Sequence, residues 1–142
     1  MMNATGLSTW TGTWKDGSGT ISTKTDTLRN APYSFSSRFS GTPGASPEEL
    51  LAAAHAGCFN QALANNFGMI GLAADAVETA VTVEMGKDEE GHPAITQLFV
   101  TVEAKVPGIT QAQFEMCAER ARTRCSIAKA LRCEIGMSAT LG

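Results

Sequence analysis

The sequence predicts an α+β fold in which an antiparallel sheet is combined with a long central helix. Three observations carry this reading. The first third of the chain is rich in Thr, Ser and aromatic residues between Gly- and Pro-containing turns, residues 47–66 form an Ala-rich apolar run, and residues 77–106 alternate apolar and polar side chains around a charged turn. With 142 residues, the chain is long enough to bury a full core and short enough to need only one, so a single domain over residues 1–142 is expected.

The elements follow in order. Trp10 to Trp14, Gly19 to Lys24 and Tyr33 to Phe39 read as a three-stranded meander, closed by the loop Gly41 to Ala45. Ser46 precedes Pro47, and Glu49 lies three residues on, which has the form of a capping box with proline at the first helical position. A helix therefore starts there and runs to about Asn66, where Gly68 and Gly71 stop it. From Val77 the period changes to two. Val77, Thr79, Val81, Val83 and Met85 share one side of a half-buried strand, Lys87 to Pro93 is a charged turn, and Leu98, Val100, Val102, Ala104 and Val106 line one face of the returning strand. Thr110 with Gln113 repeats the capping-box pattern and opens a helix through Met116, Arg120 and Arg124. Cys125 and Ser126 interrupt it. Ile127 to Arg132 form a short last helix, and Ile135 to Leu141 add an edge or inner strand.

Composition narrows the function classes. Lys and Arg total 11 against 14 Asp and Glu, for a net charge of −3, and no basic stripe carries interleaved aromatics, so nucleic acid is not an expected partner. The start of the chain lacks the basic residues and apolar run of a secretory signal, and the longest apolar stretches are too short for a bilayer, so neither a membrane partner nor export is expected. A cytoplasmic location follows, in which cysteines are more often working thiols than a disulfide framework. The cysteines stand at 58, 117, 125 and 133, the histidines are His55 and His92, and no C-x-x-C pair occurs, so a zinc site is not expected. Each eight-residue step from Cys117 to Cys125 to Cys133 drifts by about 80° on a helix of about 3.6 residues per turn, so the three share no face. Cys117 and Cys133 read as core or surface thiols.

Cys58 and Cys125 point to thiol chemistry. Cys58 stands inside the Ala-rich helix, eleven residues after Pro47 and roughly 16 Å along its axis, where that helix's own N-terminal dipole is feeble. Read alone, it is a small hydrophobe on an Ala-lined face; a working thiolate there needs a cation or another helix N-terminus supplied by the fold. Cys125 stands at a helix start beside Arg124, with Lys129 near, and both features are expected to lower its pKa.

The stretch Pro32 to Phe39, the stretch Gly44 to Leu50 with Ala54 to Phe59, and Thr123 to Ile127 together resemble one family. It is the OsmC (osmotically inducible protein C) branch of the OsmC and organic-hydroperoxide-resistance peroxidases, and the resemblance covers Trp10 to about Ala139. It implies an OsmC-like fold and an intertwined homodimer with active sites at the subunit interface. The implied activity is a thiol peroxidase that reduces organic hydroperoxides and hydrogen peroxide without haem, metal or flavin, and so protects against oxidative and osmotic stress. By the same resemblance Cys58 matches the peroxidatic cysteine, Cys125 the resolving cysteine, Arg38 the arginine that stabilises the thiolate and Glu48 the carboxylate that orients it. A dithiol such as a lipoyl group is the implied reductant.

The residue types suit those roles. A buried thiolate needs a permanent cation, which guanidinium supplies, and a second thiol traps the sulfenic acid before overoxidation. Without the resemblance, Arg38 reads as a solvated strand-end charge and Glu48 as an acid favoured at a helix N-terminus. At about 100° per residue Glu48 lies about 80° from Cys58 around the helix and Glu49 about 180°, so Glu48 is the better candidate and Glu49 the capping acid. Ten residues of helix separate Glu48 from Cys58 by roughly 15 Å, whereas an arginine touching both needs them within about 10 Å. Arg38 and Glu48 are therefore expected to reach Cys58 from the other subunit. A dimer is also expected because the helix is apolar and small-sided nearly all round, and one twisted sheet covers one side only.

One departure is plain: Ser126 follows Cys125 where the family commonly has proline, which puts the aim of the resolving thiol in question. Cys133 is a rival for the disulfide if the fold brings it close. Two other function classes compete. One is a cysteine hydrolase with His55 as base to Cys58, three residues away on the helix; the other is a non-catalytic stress or small-ligand-binding dimer with incidental cysteines.

Overall fold

The computed structural model describes residues 2–142, which fall into two compact units divided between Leu50 and Leu51. In the first unit β1 (Gly6–Thr11) pairs antiparallel with β2 (Ser18–Thr23), and β2 with β3 (Ala31–Tyr33), in the order β1-β2-β3. The first strand lies earlier than the expected Trp10 to Trp14. It ends at Thr11 because Gly12 takes φ +98°, a left-handed turn that glycine alone enters without strain.

The expected third strand, Tyr33 to Phe39, is also corrected. The strand is three residues long, and Phe35–Phe39 instead form one turn of helix, α1. Serine chemistry explains the change: the Ser34 hydroxyl accepts the Ser37 N–H at 3.1 Å and the Ser37 hydroxyl accepts the Ser34 N–H at 2.8 Å. This reciprocal box supplies the backbone with partners that a strand ladder would otherwise provide. The helical turn puts Phe35 and Phe39 on one side, where Trp14 meets them at centroid distances of 4.9 and 6.2 Å.

The long helix α2 spans Pro47–Met69. Its start at Pro47 agrees with the sequence expectation, but the described residues form one half of the expected capping box: the Ser46 hydroxyl accepts the Glu49 N–H at 3.2 Å and donates to the Glu48 carboxylate, not the Glu49 one, at 3.0 Å. Its end is later than expected, because Gly68 is inside the helix and only Gly71 stops it. Gly71 takes φ +77°, the Leu72 N–H returns to the Phe67 carbonyl at 2.9 Å and the Gly71 N–H to Gly68 at 3.0 Å, the paired bonds of a Schellman ending.

In the second unit β4 (Ala76–Lys87) and β5 (Pro93–Lys105) form an antiparallel pair, followed by α3 (Gln111–Arg124), α4 (Ser126–Ala130) and β6 (Glu134–Leu141). The sheet order is β4-β5-β6, and β6 runs parallel to β5, so this sheet is mixed rather than wholly antiparallel. A parallel neighbour requires a crossover, and α3 with α4 provides it. Thr110 and Gln113 close the expected capping box at α3. The core is built from Phe59, Leu63 and Phe67 at four-residue intervals on α2, alternate residues Val100, Val102 and Ala104 of β5, and Phe114, Cys117, Ala118 and Ala121 of α3. Asn66 reaches across this core to donate to the Cys117 carbonyl at 3.0 Å. The buried stripe of α2, His55, Phe59, Leu63 and Phe67, flanks Cys58, which meets Ser126 at the start of α4.

Candidate active site

The thiol cluster lies in the second unit. Cys58, half-buried on α2, has its sulfur 3.3 Å from the Ser126 hydroxyl. Cys125 is both the end of α3 and the N-cap of α4: its N–H donates to the Ala121 carbonyl, and its sulfur accepts the Ala128 N–H at 3.4 Å. Ser126, whose hydroxyl meets the Cys58 sulfur, directly follows Cys125 in the chain, and the two thiols shift each other's ionisation. Two cysteines 67 positions apart in sequence, Cys58 and Cys125, are therefore neighbours, and both are free thiols.

The two sulfurs are driven in opposite directions. Burial raises the Cys58 thiol, but the Ser126 hydroxyl, the Ile127 N–H, the Cys125 thiol and the Ser126 N–H together outweigh it, and its pKa lies below the ordinary thiol value. The activation that α2 itself does not supply thus comes from the first residues of α4. Burial raises Cys125, with only 3% of its surface exposed, and the Ala128 N–H does not offset this. The expectation of a lowered Cys125 pKa is corrected: Arg124 and Lys129 are exposed, and water screens them. Such a pairing makes Cys58 the sulfur that ionises more readily and Cys125 the one that holds its proton longer, the combination suited to an attacking thiolate with a waiting second thiol.

Arg38 and Glu48 come together in the first unit. Arg38, in the last turn of α1, forms an ion pair with Glu48 through Nη2 and places Nε 3.4 Å from the second carboxylate oxygen. The fork geometry is bidentate, and the guanidinium also lies 4.7 Å from the Phe39 ring centroid. Burial raises the Glu48 carboxyl, but Arg38, its own backbone N–H and the Ser46 hydroxyl hold it below the usual glutamate value. Arg38 also lines a cavity of about 290 Å³ whose other walls include Trp10, Trp14, Tyr33, Phe35 and Phe39. Its reading as a solvated strand-end charge does not hold.

His55 is fully buried, burial lowers its pKa, and neither ring nitrogen has a hydrogen-bond partner among the described residues. The Cys58 sulfur pairs with Ser126 instead, so the hydrolase reading has no base at the sulfur. Cys117 is a core residue whose thiol is raised by burial, and Cys133 is half-buried just before β6. In the sequence Ser126 stands out only as a serine where a proline is expected. The signal that marks it is its place directly after a cysteine at a helix break, where a first-turn residue turns its side chain back toward the cap.

A family model described as OsmC-like protein matches residues 39–139. Peroxiredoxin OsmC of Escherichia coli (strain K12) is 38% identical over 130 residues, covering 92% of this chain and 90% of that protein. Among solved structures, an OsmC-like protein of unknown function from Vibrio cholerae superposes with a TM-score of 0.77 at 17% identity, covering 98% of this chain and 99% of the other. The organic hydroperoxide resistance protein OhrB of Bacillus subtilis superposes with a TM-score of 0.68 at 23% identity, covering 97% and 98%. At those identities the two structures bear on the fold alone.

Proposed function

The chain belongs to the OsmC-like protein family and is a thiol-dependent peroxidase, and we propose that Cys58 is its peroxidatic cysteine and Cys125 its resolving cysteine. The observation that carries this is the position of the Cys58 sulfur, 3.3 Å from the hydroxyl of Ser126, the residue directly after the buried Cys125. The Cys58 thiolate attacks the outer oxygen of a hydroperoxide, the O–O bond breaks, and the departing alkoxide takes a proton to leave as an alcohol. Cys58 is then a sulfenic acid. The Cys125 thiol attacks its sulfur, water leaves with the thiol proton and the sulfenic hydroxyl, and a disulfide remains. An external dithiol, such as a lipoyl group, reduces that disulfide by two exchange steps and becomes a cyclic disulfide itself.

Organic hydroperoxides are the proposed substrates, and the aromatic cavity beside Arg38 supports an apolar body behind the reacting oxygen. Arg38 is assigned to stabilising the thiolate and Glu48 to orienting Arg38, which their bidentate pairing supports. The working form is a homodimer of a single 1–142 domain in which each Arg38–Glu48 pair serves the partner's Cys58. The ten positions between Glu48 and Cys58 in the sequence, which at helical spacing amount to roughly 15 Å, support that exchange. A cytoplasmic location and a role against peroxide stress complete the proposal; among the described residues no helix is long and apolar enough to cross a membrane.

The test is turnover of cumene hydroperoxide with a small dithiol. Cys58→Ser is expected to abolish it, a loss of at least about a thousandfold for removal of a nucleophile. A variant that keeps most of its activity would refute Cys58 as the reacting sulfur.

A further inference from the structure

Ser126 places a hydroxyl on the reacting sulfur, 3.3 Å from Cys58. Its backbone is held on both sides. Cys125 before it is fixed by its N–H to Ala121 at 3.3 Å, and α4 after it is closed by the Lys129 N–H to the Cys125 carbonyl at 3.1 Å. The contact joins residues 68 positions apart, so it depends on how α2 packs against the α3–α4 junction. Protonation states decide its direction. A thiol and a hydroxyl can each donate to the other, whereas a thiolate only accepts, so in the reactive state the hydroxyl must be the donor. A hydrogen bond to an ionised acceptor is stronger than one to its neutral form, so the contact favours the thiolate. Proline at this position would offer neither this hydroxyl nor a backbone N–H.

We infer that Ser126 is a catalytic residue of this peroxidase, its hydroxyl donating to the Cys58 thiolate and setting the pH at which the thiolate forms. The inference rests on Cys58 being the peroxidatic sulfur. It is supported by the balance at Cys58, where burial acts upward and the Ser126 hydroxyl is the foremost of the groups acting downward. The role is distinct from that of Arg38, which contributes a charge: Ser126 contributes a short-range donor insensitive to salt.

The experiment follows alkylation of Cys58 by iodoacetamide against pH, read on the Cys58 peptide by mass spectrometry, in reduced wild type, Ser126→Ala and Ser126→Thr. Single-turnover oxidation by cumene hydroperoxide is measured on the same samples, with melting temperature as a check on folding. Ser126→Ala is expected to move the ionisation midpoint up by about one unit, so that oxidation below the midpoint slows about tenfold, while the rate at high pH stays within about twofold. Ser126→Thr, which keeps the hydroxyl, is expected to return toward wild type. An unmoved midpoint in folded Ser126→Ala overturns the inference, as does a fall in the high-pH rate with no shift, which marks a merely structural role. Alkylation separates this from the peroxidase reading. A shifted midpoint in a protein that consumes no peroxide supports the Ser126 donor and sinks the peroxidase reading; an unshifted one in an active peroxidase overturns the role of Ser126.

Discussion

The sulfur of Cys125 accepts the backbone N–H of Ala128 at 3.4 Å, so the thiol assigned to resolution is also the cap of α4. In the proposed cycle that sulfur turns from the cap to Cys58, and the Ala128 N–H loses its partner. Serine caps a helix well and alanine does not. Cys125→Ser is therefore expected to be more stable than Cys125→Ala by about 1 kcal/mol in denaturant melts. Both variants are expected to stop after one turnover with a sulfenic acid on Cys58 that dimedone traps. Equal stability of the two would show that the cap contributes nothing, and continued turnover would place the resolving thiol elsewhere, with Cys133 the next to test.

Inactive Cys58→Ser subunits mixed with inactive Arg38→Ala subunits are expected to regain activity once chains exchange. A mixed dimer has one site with Cys58 from one parent and Arg38 from the other, and one site with neither, so about half the wild-type rate per dimer should return. Native mass spectrometry verifies the exchange. No recovery in verified mixed dimers would mean that Arg38 acts within its own chain.

The Arg38–Glu48 pair predicts an acid-dependent stability. Because Glu48 ionises below the usual glutamate value of 4.5 when folded, its contribution is complete above that value and is lost as pH falls through the lower folded value. Glu48→Gln is expected to be less stable than wild type at neutral pH, by on the order of 1 kcal/mol for a charge-assisted pair. The difference should shrink toward zero in urea melts repeated at successively lower pH, once pH has fallen through the lowered folded value and the carboxylate is protonated in wild type too. A gap that persisted unchanged into acid would show that the glutamine itself, rather than loss of the ion pair, causes the effect.

Local chemistry is legible from the sequence where a period or a cap expresses it. Period two marked Val100, Val102 and Ala104 as one face of β5, and those residues are buried while Thr101, Glu103 and Lys105 are exposed. Thr110 with Gln113 and Ser46 before Pro47 marked two helix starts because their partners lie within three residues. The serine-rich segment after Tyr33 has the composition of a strand, while the three-residue spacing of Ser34 and Ser37 is that of a capping box, and the spacing prevails. Family membership was legible for the same reason as the helix starts: Gly44 to Leu50, Ala54 to Phe59 and Thr123 to Ile127 are short contiguous motifs.

Tertiary structure decided what depends on distant partners. The parallel course of β6 beside β5 follows from where α3 and α4 return the chain, which no residue of Glu134–Leu141 encodes by itself. The sequence alone picked out Cys58 and Cys125 as thiols of interest, yet the direction of each pKa reversed the local reading. Cys58, far from its own helix's dipole, is lowered by donors at the start of α4, and Cys125, beside two cations in sequence, is raised by burial. Desolvation and hydrogen bonding act over a few ångströms in space and not over positions in a chain, so only the packing of α2 against the α3–α4 junction determines which sulfur ionises first.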